Sequence, residues 1–168
     1  GPELIRDTWV NAFQNDSLGA INKAVSGGLK EVWPKFVLDN YNLPPLDLYR
    51  QMDSVPFGAK LMDDVNVDLG GAASKTYSMR GDVEHMAALY HRYSFNDPSI
   101  KSVIFTQPFS DGSQPTAKVQ AVIEIAGQQP KIEDWTSFAR KQFCFDKPEE
   151  EIDQLLIVIS NSEYQNRG

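Results

Sequence analysis

The chain has 168 residues, of which 41% are hydrophobic and 11% aromatic, enough to close a core and to rule out wholesale disorder. A formal net charge of −7 argues against nucleic acid as a partner, because a phosphate backbone needs a basic face. The single cysteine, Cys144, excludes an internal disulfide and a cysteine-based zinc cluster, and no apolar run approaches the ~18 residues that membrane insertion requires.

Gly1-Pro2 matches the remnant left by a tag-cleaving protease, so a piece of a longer chain is expected, its targeting signals lying elsewhere. Residues 1–45 read as a helical segment of two or three helices. Ile5, Trp9, Ala12 and Phe13 recur at helical spacing, with Trp9 expected in the core. Asn15-Asp16-Ser17 supplies a stop and a new N-cap; Leu18, Ile21 and Val25 form the next stripe. Gly27-Gly28 ends that stripe, because glycine accepts the left-handed conformation past a helix C-terminus. A third stripe runs through Leu29, Trp33, Phe36, Val37 and Tyr41. Pro34 is expected in the first turn of its main helix, where a missing N–H costs nothing, or at a kink after Trp33.

Asn42-Leu43-Pro44-Pro45 breaks the helical pattern. Residues 46–71 read as an irregular connection holding at most one short strand. From 72 to 164 the period becomes two, with strands expected over 73–79, 89–95, 100–106, 117–125, 141–145 and 155–160, and a loop over 127–137. Short strands joined by polar loops predict a mainly β fold, an antiparallel β-sandwich of jelly-roll type behind the helical segment.

No phosphate-binding glycine loop and no nucleophile elbow are present. Cys144, between Phe143 and Phe145, reads as a small buried residue. His85 and His91 are spaced so that neither a helix nor a strand brings them onto one metal. Asp63, Asp64, Asn66 and Asp68 cluster oxygen donors on a glycine-flanked stretch; a solvated acidic loop is the plain reading and a calcium site the alternative. Trp135, preceded by Glu133 and Asp134 in a polar segment, either caps the core or stacks on a sugar ring. Arg80-Gly81-Asp82 matches the integrin-recognition tripeptide between two expected strands; a turn glycine flanked by charges is the plain reading and an exposed adhesion tip the alternative. Among 23 acids a hydrolytic pair is conceivable, but nothing in the sequence selects one.

Two sets of segments carry a resemblance. Trp33-Pro34-Lys35-Phe36 with Asn42-Leu43-Pro44-Pro45 resembles a WPxF…NxPP stretch of large extracellular bacterial proteins. Glu133-Asp134-Trp135-Thr136, Phe143-Cys144-Phe145-Asp146 and residues 156–162 resemble the EDW…FCxD…LIVxSNS ending of the same chains. The resemblance implies an accessory region behind a zinc-peptidase-like domain, on a secreted or cell-surface protein. Catalysis, if any, would lie upstream, and the parent's other domains, a glycan or a surface protein would be the partners. The expectation is therefore a non-catalytic binding or scaffolding module, with a carboxylate-based hydrolase of extracellular polymers and an adhesion module using Arg80-Gly81-Asp82 as alternatives.

Overall fold

A computed structural model describes residues 2–12, 14–52, 57–79, 81–107 and 114–164. Among these residues the helices are α1 (Pro2–Asn11), α2 (Ser17–Ala24), α3 (Leu29–Asn40) and α4 (Leu48–Met52). The strands are β1 (Asp63–Asn66), β2 (Ala87–Ser94), β3 (Ser102–Thr106), β4 (Ala117–Ile125), β5 (Lys131–Asp134), β6 (Arg140–Cys144) and β7 (Ile152–Asn161).

The fold is built around β7. Its residues 155–160 are all buried, whichever face they point to. A strand with one wet face alternates; one covered on both faces reads as a continuous apolar run. β7 is paired antiparallel to β2 on one edge and to β4 on the other; β1 adds to β2 and β5 to β4, giving the order β1-β2-β7-β4-β5. β3 and β6 form a separate antiparallel ribbon. The ribbon places Phe105 and Phe143 on Ile157, Leu155 and Val119 of one sheet face. On the other face α3 packs Val37, Leu38 and Tyr41 onto Tyr90, Val122, Leu156 and Val158. The expected mainly β sandwich with a helical front segment is what forms. Its two sheets are unequal, five strands against two, and α3 adds a third layer.

The helical segment follows its caps. The Asp16 carboxylate accepts from Gly19 N–H at 2.6 Å and starts α2, as its position implies. Gly27 and Gly28 both take positive φ after α2. Gly28 has no side chain to cap α3, so Asn22 of α2 reaches across and accepts the Leu29 N–H at 2.8 Å. That cap starts α3 at Leu29, which puts Pro34 in the helix interior and not in its first turn. Trp9 is also displaced from its expected place: α1 buries none of its residues, and Trp9 is 72% exposed. Its spacing is helical, but α1 lies against α2 and not against the sheet.

Three further differences concern strands. β1 is the one short strand that the 46–71 connection was expected to hold at most, but it runs parallel to β2 where antiparallel pairing was expected. β5 forms inside the expected 127–137 loop, because the exposed edge of β4 is there to pair with it. Residues 73–79 form no strand. Parallel neighbours need a crossover. Residues 67–79 and 81–86 belong to it, with Tyr77, Met79 and Val83 packing over the ribbon-side face of the sheet.

Burying Leu38 against Leu156 and Val158 makes α3 part of the core, whereas α1 is peripheral. Leu38→Ala is expected to lower unfolding stability by about 2–4 kcal/mol through lost transfer energy and a residual cavity. Trp9→Ala should change it by less than about 0.5 kcal/mol. Urea titrations of the two variants check the contrast.

Candidate functional site

The ribbon is narrower than the sheet, and between β3 and the crossover the layers part over an apolar floor. A cleft of about 550 Å³ lies there. Its floor is Tyr93 and Phe95 with Leu155 and Ile157, one wall is the whole of β3, and further lining comes from Val67, Leu69 and residues 73–77 of the crossover. Period-two alternation explains the floor: Tyr93 sits opposite Leu155 in the β2–β7 ladder, on the face that also carries Ile157. Tyr77 meets Tyr93 edge-on with ring centroids 6.3 Å apart. Burial, reinforced by the nearby Asp63 charge, pushes the Tyr93 phenol up to about 12, so the floor is uncharged.

The rim is held by Asp97. Its carboxylate accepts from Ser99 Oγ at 2.6 Å, Ser99 N–H at 2.8 Å and Leu69 N–H at 2.9 Å, tying the start of the crossover to the β2–β3 turn. The Ser99 and Leu69 donors hold Asp97 down at about 2, so it remains an acceptor through the physiological range. The cleft lining contains Lys75 and Lys101 and no Asp or Glu. Neither lysine forms an ion pair among the described residues. Lys75 Nζ donates to the Asp68 carbonyl at 2.9 Å and lies over the Tyr77 ring. In a chain of net charge −7 the lining thus carries two lysines and no carboxylate, with the ionised Asp97 standing behind Ser99 and Leu69 at the rim.

The residues singled out from the sequence fall elsewhere. Trp135 is fully buried, with its ring 5.0 Å from Phe105 and 5.9 Å from Phe143, so it closes the core and has no face open to a sugar. Glu133 accepts from Trp135 Nε1 at 2.8 Å and from Lys141 at 3.0 Å, and it pairs with Lys131. Asp134 pairs with Lys118 at 2.9 Å and accepts the Thr136 N–H. These two acids anchor the end of β5 and the turn after it.

Asp63, Asp64 and Asn66 lie on strand β1, not on a loop, and the strand turns the two acids to opposite faces. Asp63 accepts a hydrogen bond from the buried His91 Nδ1 at 2.7 Å, and Asp64 makes a bidentate pair with Arg92 at 2.6 and 2.9 Å. The Arg92 guanidinium holds Asp64 below the usual carboxylate range. Asn66 bonds Asn96, and Asp68 caps the Gly70 N–H. The four are not gathered around one point, and among the described residues no group of three His, Cys, Asp or Glu side chains is arranged to hold a metal.

Arg80 lies outside the described residues, so the tripeptide as a whole has no structural account. Gly81, at φ +137°, is set against the Leu89 side chain, and Asp82 is exposed in an irregular stretch before β2. Residues 73–79, expected as the strand before it, form none, so among the described residues no hairpin ends there. His85 is exposed in a turn, and Cys144 is half-buried on β6, where a fully buried residue was expected.

The cleft was not singled out from the sequence. Its floor residues read as ordinary core positions and three of them, Tyr93, Leu155 and Ile157, are indeed buried; only the mismatch between a five-stranded and a two-stranded sheet leaves a cleft beside them. Comparison of the chain with protein-family models, with curated proteins and with solved structures finds no match.

Glu133 carries the testable electrostatics of the Trp135 corner. Burial alone would raise its pKa, but the Lys131, Trp135 and Lys141 hydrogen bonds bring it down to about 2. A depressed carboxylate contributes stability that is present above its unfolded pKa near ~4.3 and is lost as pH falls toward its folded value. Glu133→Gln should therefore flatten the loss of stability between about pH 4.5 and pH 2. Glu133→Leu, which leaves the Trp135 N–H without its acceptor, should cost about 1–3 kcal/mol at neutral pH. Thermal melting across pH reads both.

Proposed function

We propose that this chain is a non-catalytic binding module, and that its ligand seats in the cleft beside β3. The observation that carries the reading is the lining itself: an aromatic and aliphatic floor with two lysines and no acid, on a molecule rich in acids elsewhere. Binding pockets are typically apolar concavities with a few polar groups that orient the ligand. Apolar burial would supply the affinity, and Lys75 and Lys101 would select for a negatively charged or carboxylate-bearing partner.

The reading favours a module within a larger secreted or surface-exposed protein, in keeping with the resemblance of the Trp33–Pro45 and Glu133–Ser162 segments to accessory regions of extracellular bacterial chains. Among the described residues no helix is long and apolar enough to cross a membrane. A glycan stacked on Trp135 is disfavoured, because that ring is enclosed by Phe105 and Phe143. Asp63, Asp64, Glu133 and Asp134 are engaged in pairs that hold strands, and the cleft beside β3 contains no carboxylate, so this cleft does not favour the hydrolase alternative.

Anilinonaphthalene sulfonate, an apolar anion, tests the site. The folded protein should enhance its fluorescence. Val103→Trp, which fills the cleft, and the double variant Lys75→Glu with Lys101→Glu should each weaken dye binding at least ~10-fold, a change of about 1.4 kcal/mol. Near-ultraviolet circular dichroism monitors the fold. Dye binding that is absent, or that neither variant alters, rejects the cleft as the site.

A further inference from the structure

The wall of the cleft has a property that an ordinary small-molecule pocket lacks. In the β3–β6 ladder, Phe145 N–H donates to the Lys101 carbonyl and Gln107 N–H donates to the Ala139 carbonyl. Those bonds bracket the register Val103↔Phe143 and Phe105↔Lys141, so the odd-numbered residues of β3 face β6. Alternation along an antiparallel strand then sends the N–H and C=O groups of Ser102, Ile104 and Thr106 the other way, toward the cleft. Among the described residues no strand pairs with that edge.

The two edges of the ribbon are treated differently. On the outer edge of β6, Glu150 reaches over and accepts the Cys144 N–H at 3.0 Å. Among the described residues nothing caps the edge of β3 in this way, and an open edge is a template for another strand. Residues 73–77 line the same cleft and form no ladder. Between them and β3 lies an apolar floor, and β3 presents about 16 Å of edge at ~3.3 Å per residue.

We infer that the cleft takes an extended peptide segment that adds to the open edge of β3. Its inward side chains are apolar and rest on Tyr93, Phe95 and Leu155, and its charged groups are acidic, facing Lys75 and Lys101. The charge follows from the rim: two ammonium groups without carboxylate partners among the described residues, in a lining that holds no acid. The mode follows from the backbone, since main-chain hydrogen bonds give strand addition its affinity and alternate side chains its specificity. This inference deepens the proposed function and rests on it.

The test uses an acetylated, amidated hexapeptide alternating valine and glutamate, its counterpart with lysine in place of glutamate, and two isomers of the acidic peptide N-methylated on alternate amides. Binding is followed by amide chemical shifts and hydrogen exchange of the full chain. The acidic peptide should bind and slow exchange at Ser102, Ile104 and Thr106. The lysine peptide should bind at least ~10-fold more weakly. One N-methylated isomer should lose binding while the other keeps it, because only alternate amides face the partner strand. Ile104→Pro removes an edge N–H without removing a bond to β6, and should abolish peptide binding with the far-ultraviolet spectrum unchanged.

Failure of the acidic peptide to bind, or binding without protection of the three edge amides, overturns strand addition. So does self-association of the chain through this edge in place of peptide capture. The dye measurement separates the two levels: dye binding without peptide binding leaves an apolar small-molecule cleft and removes only the peptide, whereas loss of both removes the binding site itself.

Discussion

The constraint on which the structure depends is that β7 has no free side. Both of its edges are hydrogen-bonded, to β2 and to β4, and both of its faces are covered, by α3 and by the β3–β6 ribbon. Burying an aliphatic side chain removes it from water at about 1.5–3 kcal/mol apiece. A strand carrying Leu155, Leu156, Ile157, Val158 and Ile159 in succession cannot be satisfied by a two-layer arrangement with one wet face. The helical front segment is therefore more than an appendage: Val37, Leu38 and Tyr41 complete the second face, and the Tyr90 hydroxyl donates to the Val37 carbonyl at 2.7 Å to fix α3 on the sheet.

The cleft follows from the same geometry. A five-stranded sheet presents more floor than a two-stranded ribbon can cover, and the surplus falls on the β2 side. The parallel placement of β1 beside β2 obliges the chain to cross from the end of one strand to the start of the other. The crossover carries no helix among its described residues, so it lies across the uncovered floor as an irregular segment. It packs Tyr77 and Met79 onto the sheet but does not close the gap to β3. Asp97 is the tie that holds the crossover to the β2–β3 turn.

The acidic residues show how one side-chain chemistry serves different ends. Asp63 and Asp64 look like paired donors for a cation when they stand together in a line of sequence. On a strand their side chains diverge, one toward His91 and one toward Arg92, and together they tie the edge strand β1 to β2 from both faces of the sheet. Glu133 and Asp134 divide in the same way, between the buried Trp135 N–H and the exposed Lys118. The lowered pKa values of Asp64, Glu133 and Asp134 record these structural bonds. Carboxylates fully engaged in holding strands have little capacity left for a ligand.

Local patterns determined a good part of this molecule. The caps at Asp16 and Gly28, the alternation of β4 and the buried run of β7 depend on neighbours in sequence, so the mainly β sandwich behind a helical segment was legible in the residues. What tertiary structure alone decided was pairing. β1 and β5 are strands of four residues whose ladders exist only because an edge of β2 or β4 stands beside them, whereas residues 73–79, with comparable alternation, pair with no strand. Burial was decided the same way, with Trp9 left in water and Trp135 enclosed. The cleft belongs wholly to the second category. It is the difference in width between two sheets, a quantity set by distant strands that no short stretch of sequence contains.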